Sequence, residues 1–110
     1  MPKSPWIFLL LGFVPLASVQ AEPLPPQPAQ LGLCAACHGE DGHARIPGAP
    51  NLAGQPYQYL LQALYAYRNG ERKVPVMRAA TGPLTEKDMQ ALARWFAAQS
   101  PCKAVQAENP

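Results

Sequence analysis

Cys34-Ala35-Ala36-Cys37-His38 is the stretch on which the fold of this chain turns. Two cysteines three apart, followed at once by a histidine, form the attachment signature of c-type haem. The reason is geometric. On one helical turn, residues three apart face the same side, so both thiols can form thioethers with the two vinyl groups of one porphyrin. The adjacent imidazole can then turn toward the iron, and the ring is clipped at one edge and coordinated from one face. Three other chemistries use the same residue types. A thioredoxin-like redox pair needs a strand ahead of the motif and a mixed α/β fold. Zinc could recruit Cys34, Cys37, His38 and His43, although structural zinc sites favour two separated ligand pairs. A Cys34–Cys37 disulfide would leave the histidine without a role.

Upstream of the motif, Pro28 to Ala36 reads as a short helix, with proline tolerated in its first turn. Glu22 to Gln30 runs EPLPPQPAQ, with four prolines between Pro23 and Pro28. Proline removes a backbone donor and fixes φ, so this segment is an extended arm. A ligand for a proline-recognition domain is the sharper alternative. Residues 1–21 carry Lys3, an apolar run from Trp6 to Val14 and a small residue, Ala21, before Glu22. That is the pattern of a cleavable signal peptide. The apolar run is roughly nine residues, where a membrane-spanning helix needs about 20, and no cysteine directly follows it as a lipoprotein signal would require. The expected organisation is 1–21 signal, 22–30 proline-rich arm, 31–100 domain and 101–110 tail. The mature chain is expected to be periplasmic and not membrane-spanning.

Downstream, Tyr57, Leu60, Leu61, Leu64, Tyr65 and Arg68 recur at helical spacing behind Pro56, and Asn69-Gly70 is a stop. A last helix opens at Thr85, which can cap it with Asp88 as the capping-box partner. It buries Met89, Leu92, Ala93 and Phe96, with Trp95 beside them, and ends at Ser100-Pro101. No segment alternates like a strand, which predicts an all-α fold. Two stretches rich in glycine and proline, His38 to Gln55 and Glu71 to Leu84, read as loops. A domain this short usually needs a staple, a metal or a cofactor, and loops this long need something besides helix packing to hold them.

Composition narrows the function. The chain has 110 residues, 48% hydrophobic and 15% charged, with nine basic and seven acidic residues giving a formal charge of +2. That balance does not provide the dense basic surface on which phosphate-driven nucleic-acid binding depends. Three cysteines, an odd number, do not make a disulfide scaffold. Length allows one small domain.

The chain resembles the class I c-type cytochromes, in particular the small bacterial periplasmic single-haem kind and the similar domains of two-haem relatives. The likeness runs from Leu31 to Gln99. It rests on Cys34-Ala35-Ala36-Cys37-His38-Gly39, on Pro50-Asn51-Leu52-Ala53-Gly54-Gln55, on Tyr67-Arg68-Asn69-Gly70-Glu71-Arg72, and on Pro75-Val76-Met77 before Leu84-Thr85. The resemblance implies a small three- to four-helix cytochrome c fold wrapped around one covalently bound haem c. It implies thioethers at Cys34 and Cys37, His38 as the proximal iron ligand, and a Pro50 backbone carbonyl that receives the histidine Nδ1 hydrogen bond. Met77, in the loop before the last helix, matches the distal ligand. Met89 lies on an apolar stripe and reads as core, and His43 reads as an exposed loop histidine. Tyr57, Tyr65, Tyr67 and Trp95 read as packing. Arg68, Arg72, Lys73 and Arg78 cluster around the methionine loop, either as a solvated face or to meet haem propionates or an acidic partner. One departure stands out: prolines cut the first helix short, leaving Leu31, Gly32 and Leu33 to meet Trp95 and Phe96.

The function so implied is one-electron transfer with a His/Met-ligated iron, in a carrier rather than an enzyme, serving transient redox partners such as a dehydrogenase or terminal oxidase. The alternatives are a haem subunit held within such a complex, or a sensor or peroxidase-like protein with a displaceable Met77. Cys102, left over once Cys34 and Cys37 are used, is either a bystander or the site of a disulfide-linked dimer.

Overall fold

The computed structural model describes residues 1–5, 10–20 and 22–103. The start of the signal's apolar run (6–9), its expected cleavage residue Ala21 and the tail from 104 onward lie outside the described residues. Four helices follow one another: α1 (Leu31–His38), α2 (Tyr57–Asn69), α3 (Pro75–Thr81) and α4 (Glu86–Ala97). There is no strand among the described residues, and the all-α expectation holds. None of the described helices is long and apolar enough to cross a membrane.

The centre is α2 against α4. The stripe along α4 buries Met89, Leu92, Ala93, Trp95 and Phe96, and α2 answers with Leu60, flanked by Tyr57, Leu61, Leu64 and Tyr65. Each fully buried side chain of this kind contributes roughly 1.5–3 kcal/mol. Local chemistry fixes both helices. The Thr85 hydroxyl accepts from the Asp88 N–H while the Asp88 carboxylate accepts from the Thr85 N–H, which is the expected capping box. Gly70, left-handed at φ 85°, ends α2 with its N–H on the Tyr67 carbonyl.

Three boundaries differ from expectation. The first helix does not span Pro28 to Ala36. Pro28 lies outside it, its carbonyl taking the Leu31 N–H at 3.1 Å, and the helix runs on through both cysteines to His38, where the Gly39 N–H closes it on the Ala35 carbonyl. The stretch Glu71 to Leu84 is not one loop, for it holds α3. Val74 enters extended, Pro75 takes the first helical position, and the Thr81 hydroxyl returns to the Met77 carbonyl at 2.8 Å. Finally, α4 stops at Ala97, short of Ser100-Pro101.

Of Leu31, Gly32 and Leu33, expected to meet Trp95 and Phe96, only Leu31 joins the core cluster that holds them. Leu31 enters the core at 2% exposure, whereas Leu33 is 56% exposed and nothing lies within 4 Å of where a Gly32 Cβ would be. The loop after α1 folds on itself instead. The Gly42 carbonyl accepts from the N–H groups of Leu52 (2.7 Å) and Ala53 (3.1 Å), an approach so close that a Cβ on Gly42 would sit 2.6 Å from the Ala53 nitrogen.

Candidate functional site

Because α1 runs through the whole motif, Cys34 and Cys37 share one helical face, and His38 is its last residue. Both cysteines are half-buried free thiols. Cys34 packs against the core, and this burial pushes its thiol pKa up, so it stands as a neutral thiol in apolar surroundings. No disulfide joins the pair, and among the described residues no three His, Cys, Asp or Glu side chains converge as a metal cage. The zinc alternative therefore has no converged donor set among the described residues.

His38 is buried, at 6% exposure, and its Nδ1 lies 2.9 Å from the Pro50 carbonyl oxygen. A carbonyl can only accept, so Nδ1 carries a proton, and in the neutral imidazole the lone pair is on Nε2. The imidazole is thus held in the tautomer a metal ligand needs. Pro50 is itself fixed through its neighbour, since the Asn51 Oδ1 accepts the Ala44 N–H at 2.8 Å. Met77 lies half-buried on α3. Beside it Val74 and Val76 are 40% and 66% exposed, and Ile46 in the loop after the motif is 47% exposed.

The remaining candidates sort clearly. Met89 has no exposure at all and belongs to the core. His43 is not fully exposed as expected: it is half-buried, and its Nε2 pairs with the Ser100 carbonyl at 3.0 Å. Tyr57 and Tyr65 pack against the core, with the Tyr65 hydroxyl donating to Glu86 at 2.6 Å. The cationic cluster is partly pinned to these aromatics. The Arg72 guanidinium lies 4.6 Å over the Tyr67 ring, and Arg68 lies 5.3 Å over Tyr65 while donating to the Leu84 carbonyl at 3.3 Å. Cys102 is an exposed free thiol. Trp95 does more than pack. Its Nε1–H donates to the Glu40 carbonyl at 2.7 Å, a tie no sequence pattern names, although a buried indole N–H demands some partner.

Two thiols on one helical face, followed at once by an imidazole whose Nδ1 is held by a carbonyl, fit a covalently attached porphyrin, and Met77 carries a thioether on α3. Those features define an all-α protein of the c-type haem class. The chain belongs to the cytochrome c family: residues 30–96 match the family model described as cytochrome c oxidase, cbb3-type, subunit III. Membership implies a covalently bound haem c, for which Cys34, Cys37 and His38 stand in the attachment arrangement. The chain is 36% identical over 93 residues to cytochrome c4 of Pseudomonas aeruginosa, covering 84% of this chain and 46% of that protein. It is 37% identical over 73 residues to cytochrome c-554(548) of Halomonas halodenitrificans, covering 64% of this chain and 88% of that one. The structure of Acidithiobacillus ferrooxidans cytochrome c4 superposes with a TM-score of 0.56 at 34% identity, over 59% of this chain and 37% of that one. The chain therefore spans about half the length of the cytochrome c4 relative from Pseudomonas aeruginosa.

Proposed function

We propose that the protein is a periplasmic one-electron carrier, in which Cys34 and Cys37 would attach the haem and His38 and Met77 would ligate its iron. The observation that carries this is the 2.9 Å hydrogen bond from His38 to the Pro50 carbonyl at the end of the paired-cysteine helix. When bound, haem supplies a ferric/ferrous couple. The chain's own residues do the rest. The Pro50 carbonyl orients the imidazole and raises its basicity. The Met77 thioether is a soft, weak donor, which on the iron would favour the ferrous state and a higher potential than two histidines would give. Ile46, Val74 and Val76 offer apolar cover against water.

The partners are redox proteins. A second arrangement, a subunit held within an oxidase or dehydrogenase complex, is favoured by the description of the matching family model and by the uncovered Leu33 side of α1. Size-exclusion of native extract separates a free carrier from such a subunit.

Spectra of the oxidised and reduced protein test the ligands. Met77→Ala is expected to abolish the weak red band of ferric Met–iron ligation, lower the potential and admit added small ligands, while Met89→Ala keeps the band. Loss of the band in Met89→Ala instead would overturn the assignment.

A further inference from the structure

Resting on the reading that His38 holds the iron, we propose that the end of α4 is a clasp that sets the His38–Pro50 hydrogen bond, with Trp95 as its positioning residue. Two adjacent residues of one helix grip both ends of the loop between ligand and acceptor. The Trp95 Nε1–H donates to the carbonyl of Glu40, two residues past His38, at 2.7 Å. The Phe96 carbonyl accepts the N–H of Gly54, four residues past Pro50, at 3.0 Å. A third tie follows along the same segment, His43 Nε2 to the Ser100 carbonyl at 3.0 Å. Inside the clasp the loop is cross-braced by the Gly42 carbonyl to Leu52 and Ala53 and by Asn51 to the Ala44 N–H.

The separation between the His38 end and the Pro50 end of the loop is thereby fixed by the spacing of neighbouring residues in a rigid helix. Packing alone does not account for Trp95. Met89, Leu92 and Phe96 fill the core without a side-chain hydrogen bond, whereas the indole reaches across to a backbone carbonyl next to the motif. If that tie is lost, the loop loosens at Glu40 and the His38 Nδ1–H loses alignment with Pro50. A less polarised imidazole donates less to ferric iron, so the ferrous form gains and the potential rises.

The test uses the haem-loaded protein. Trp95→Phe keeps the aromatic bulk and removes the donor. Solvent exchange of the His38 Nδ1–H proton, followed by NMR of the ferrous form, is expected to quicken about tenfold, and the ferrous-to-ferric equilibrium constant to rise about threefold, a modest change beside the roughly 10- to 100-fold losses of metal affinity or activity seen when a direct outer-shell partner is removed. Phe96→Leu is the control: it thins the core but leaves its carbonyl on Gly54, so melting temperature falls while exchange and potential stay put. Unchanged exchange and potential in Trp95→Phe, or equal shifts in Phe96→Leu, would refute the clasp. Should Trp95→Phe fail to load haem, His43→Ala at the surface is expected to shift both readouts the same way by less, and no shift there refutes it equally. The ligand assignment fails separately, if His38→Ala retains the wild-type spectrum.

Discussion

Helices α1 and α4 are built on opposite terms. In α4 everything local agrees: a capping box at Thr85 and Asp88, acidic residues in the first turn, Arg94 in the last, and five buried side chains on one stripe. In α1 there is no side-chain cap and no acidic first turn, and only Leu31 and His38 are buried. Its Leu33 faces outward. The first is a helix its own sequence and the core maintain, whereas the second is short, uncapped and lightly packed, the kind that is marginal without tertiary support. The chemistry sits on the weak helix, where covalent attachment can supply the missing support.

The hardest way to break this contrast is to remove that attachment. Cys34→Ala with Cys37→Ala is expected to give a colourless, largely unfolded chain, because a tightly bound group stabilises only the state that binds it. Circular dichroism and acid-acetone extraction check it. A well-folded colourless variant would show that α1 stands without the haem, and colour extracted from the wild type into solvent would refute the thioethers.

The corresponding blow to α4 is smaller, since it removes packing rather than the partner of the whole site. Met89→Ala truncates a side chain with no exposure and is expected to cost roughly 2–5 kcal/mol, read by denaturant unfolding of the haem-loaded protein. The haem spectrum should persist until the unfolding transition. A loss well under this range would place the core's weight elsewhere than on α4.

This contrast also explains what could be read from the sequence. The helix α4 was legible to its cap because propensity, capping and apolar period agree there, and the attachment motif was legible because its spacing alone encodes a geometry. The helix α3 was not. Its seven residues are too few to show a period, and its signals, Pro75 at the start and Thr81 bonded back to Met77, look like loop chemistry. Helix α1 begins at Leu31, three residues after Pro28, and proline tolerance at a first turn does not distinguish a proline inside a helix from one ahead of it. The contacts of His43 and Trp95 join residues more than fifty apart, and no local pattern carries such pairings.

A gentler test touches the α4 cap. Thr85→Ala removes the hydroxyl that accepts from the Asp88 N–H at 3.1 Å and is expected to cost about 1 kcal/mol. The effect is pH-dependent. Hydrogen bonds from the Thr85 N–H and then its hydroxyl hold the Asp88 carboxyl below its usual pKa. A depressed folded pKa gives stability present above the unfolded value and lost as pH falls through the folded one. Alanine keeps the backbone N–H, so only the hydroxyl's share of this is lost, and the wild-type advantage over Thr85→Ala is expected to be greatest near neutral pH and to shrink in part below about pH 4. An advantage that grows on acidification would exclude the carboxylate from the cap.

The smallest expected effect sharpens the comparison from the other side, by strengthening α1 rather than breaking it. Gly32 lies in the helix, where glycine is disfavoured because the unfolded chain has more freedom to lose. Its φ is not left-handed, and a Cβ there would meet nothing within 4 Å. Gly32→Ala therefore has no steric cost and is expected to stabilise the protein by roughly 0.4–1 kcal/mol, seen as a small rise in melting temperature with an unchanged spectrum. In a helix pressed onto α4 at this point the same methyl would clash and the sign would reverse. A fall in melting temperature would thus show that α1 packs closely at Gly32 in the haem-loaded protein, and that the two helices are less unequal than their contacts make them.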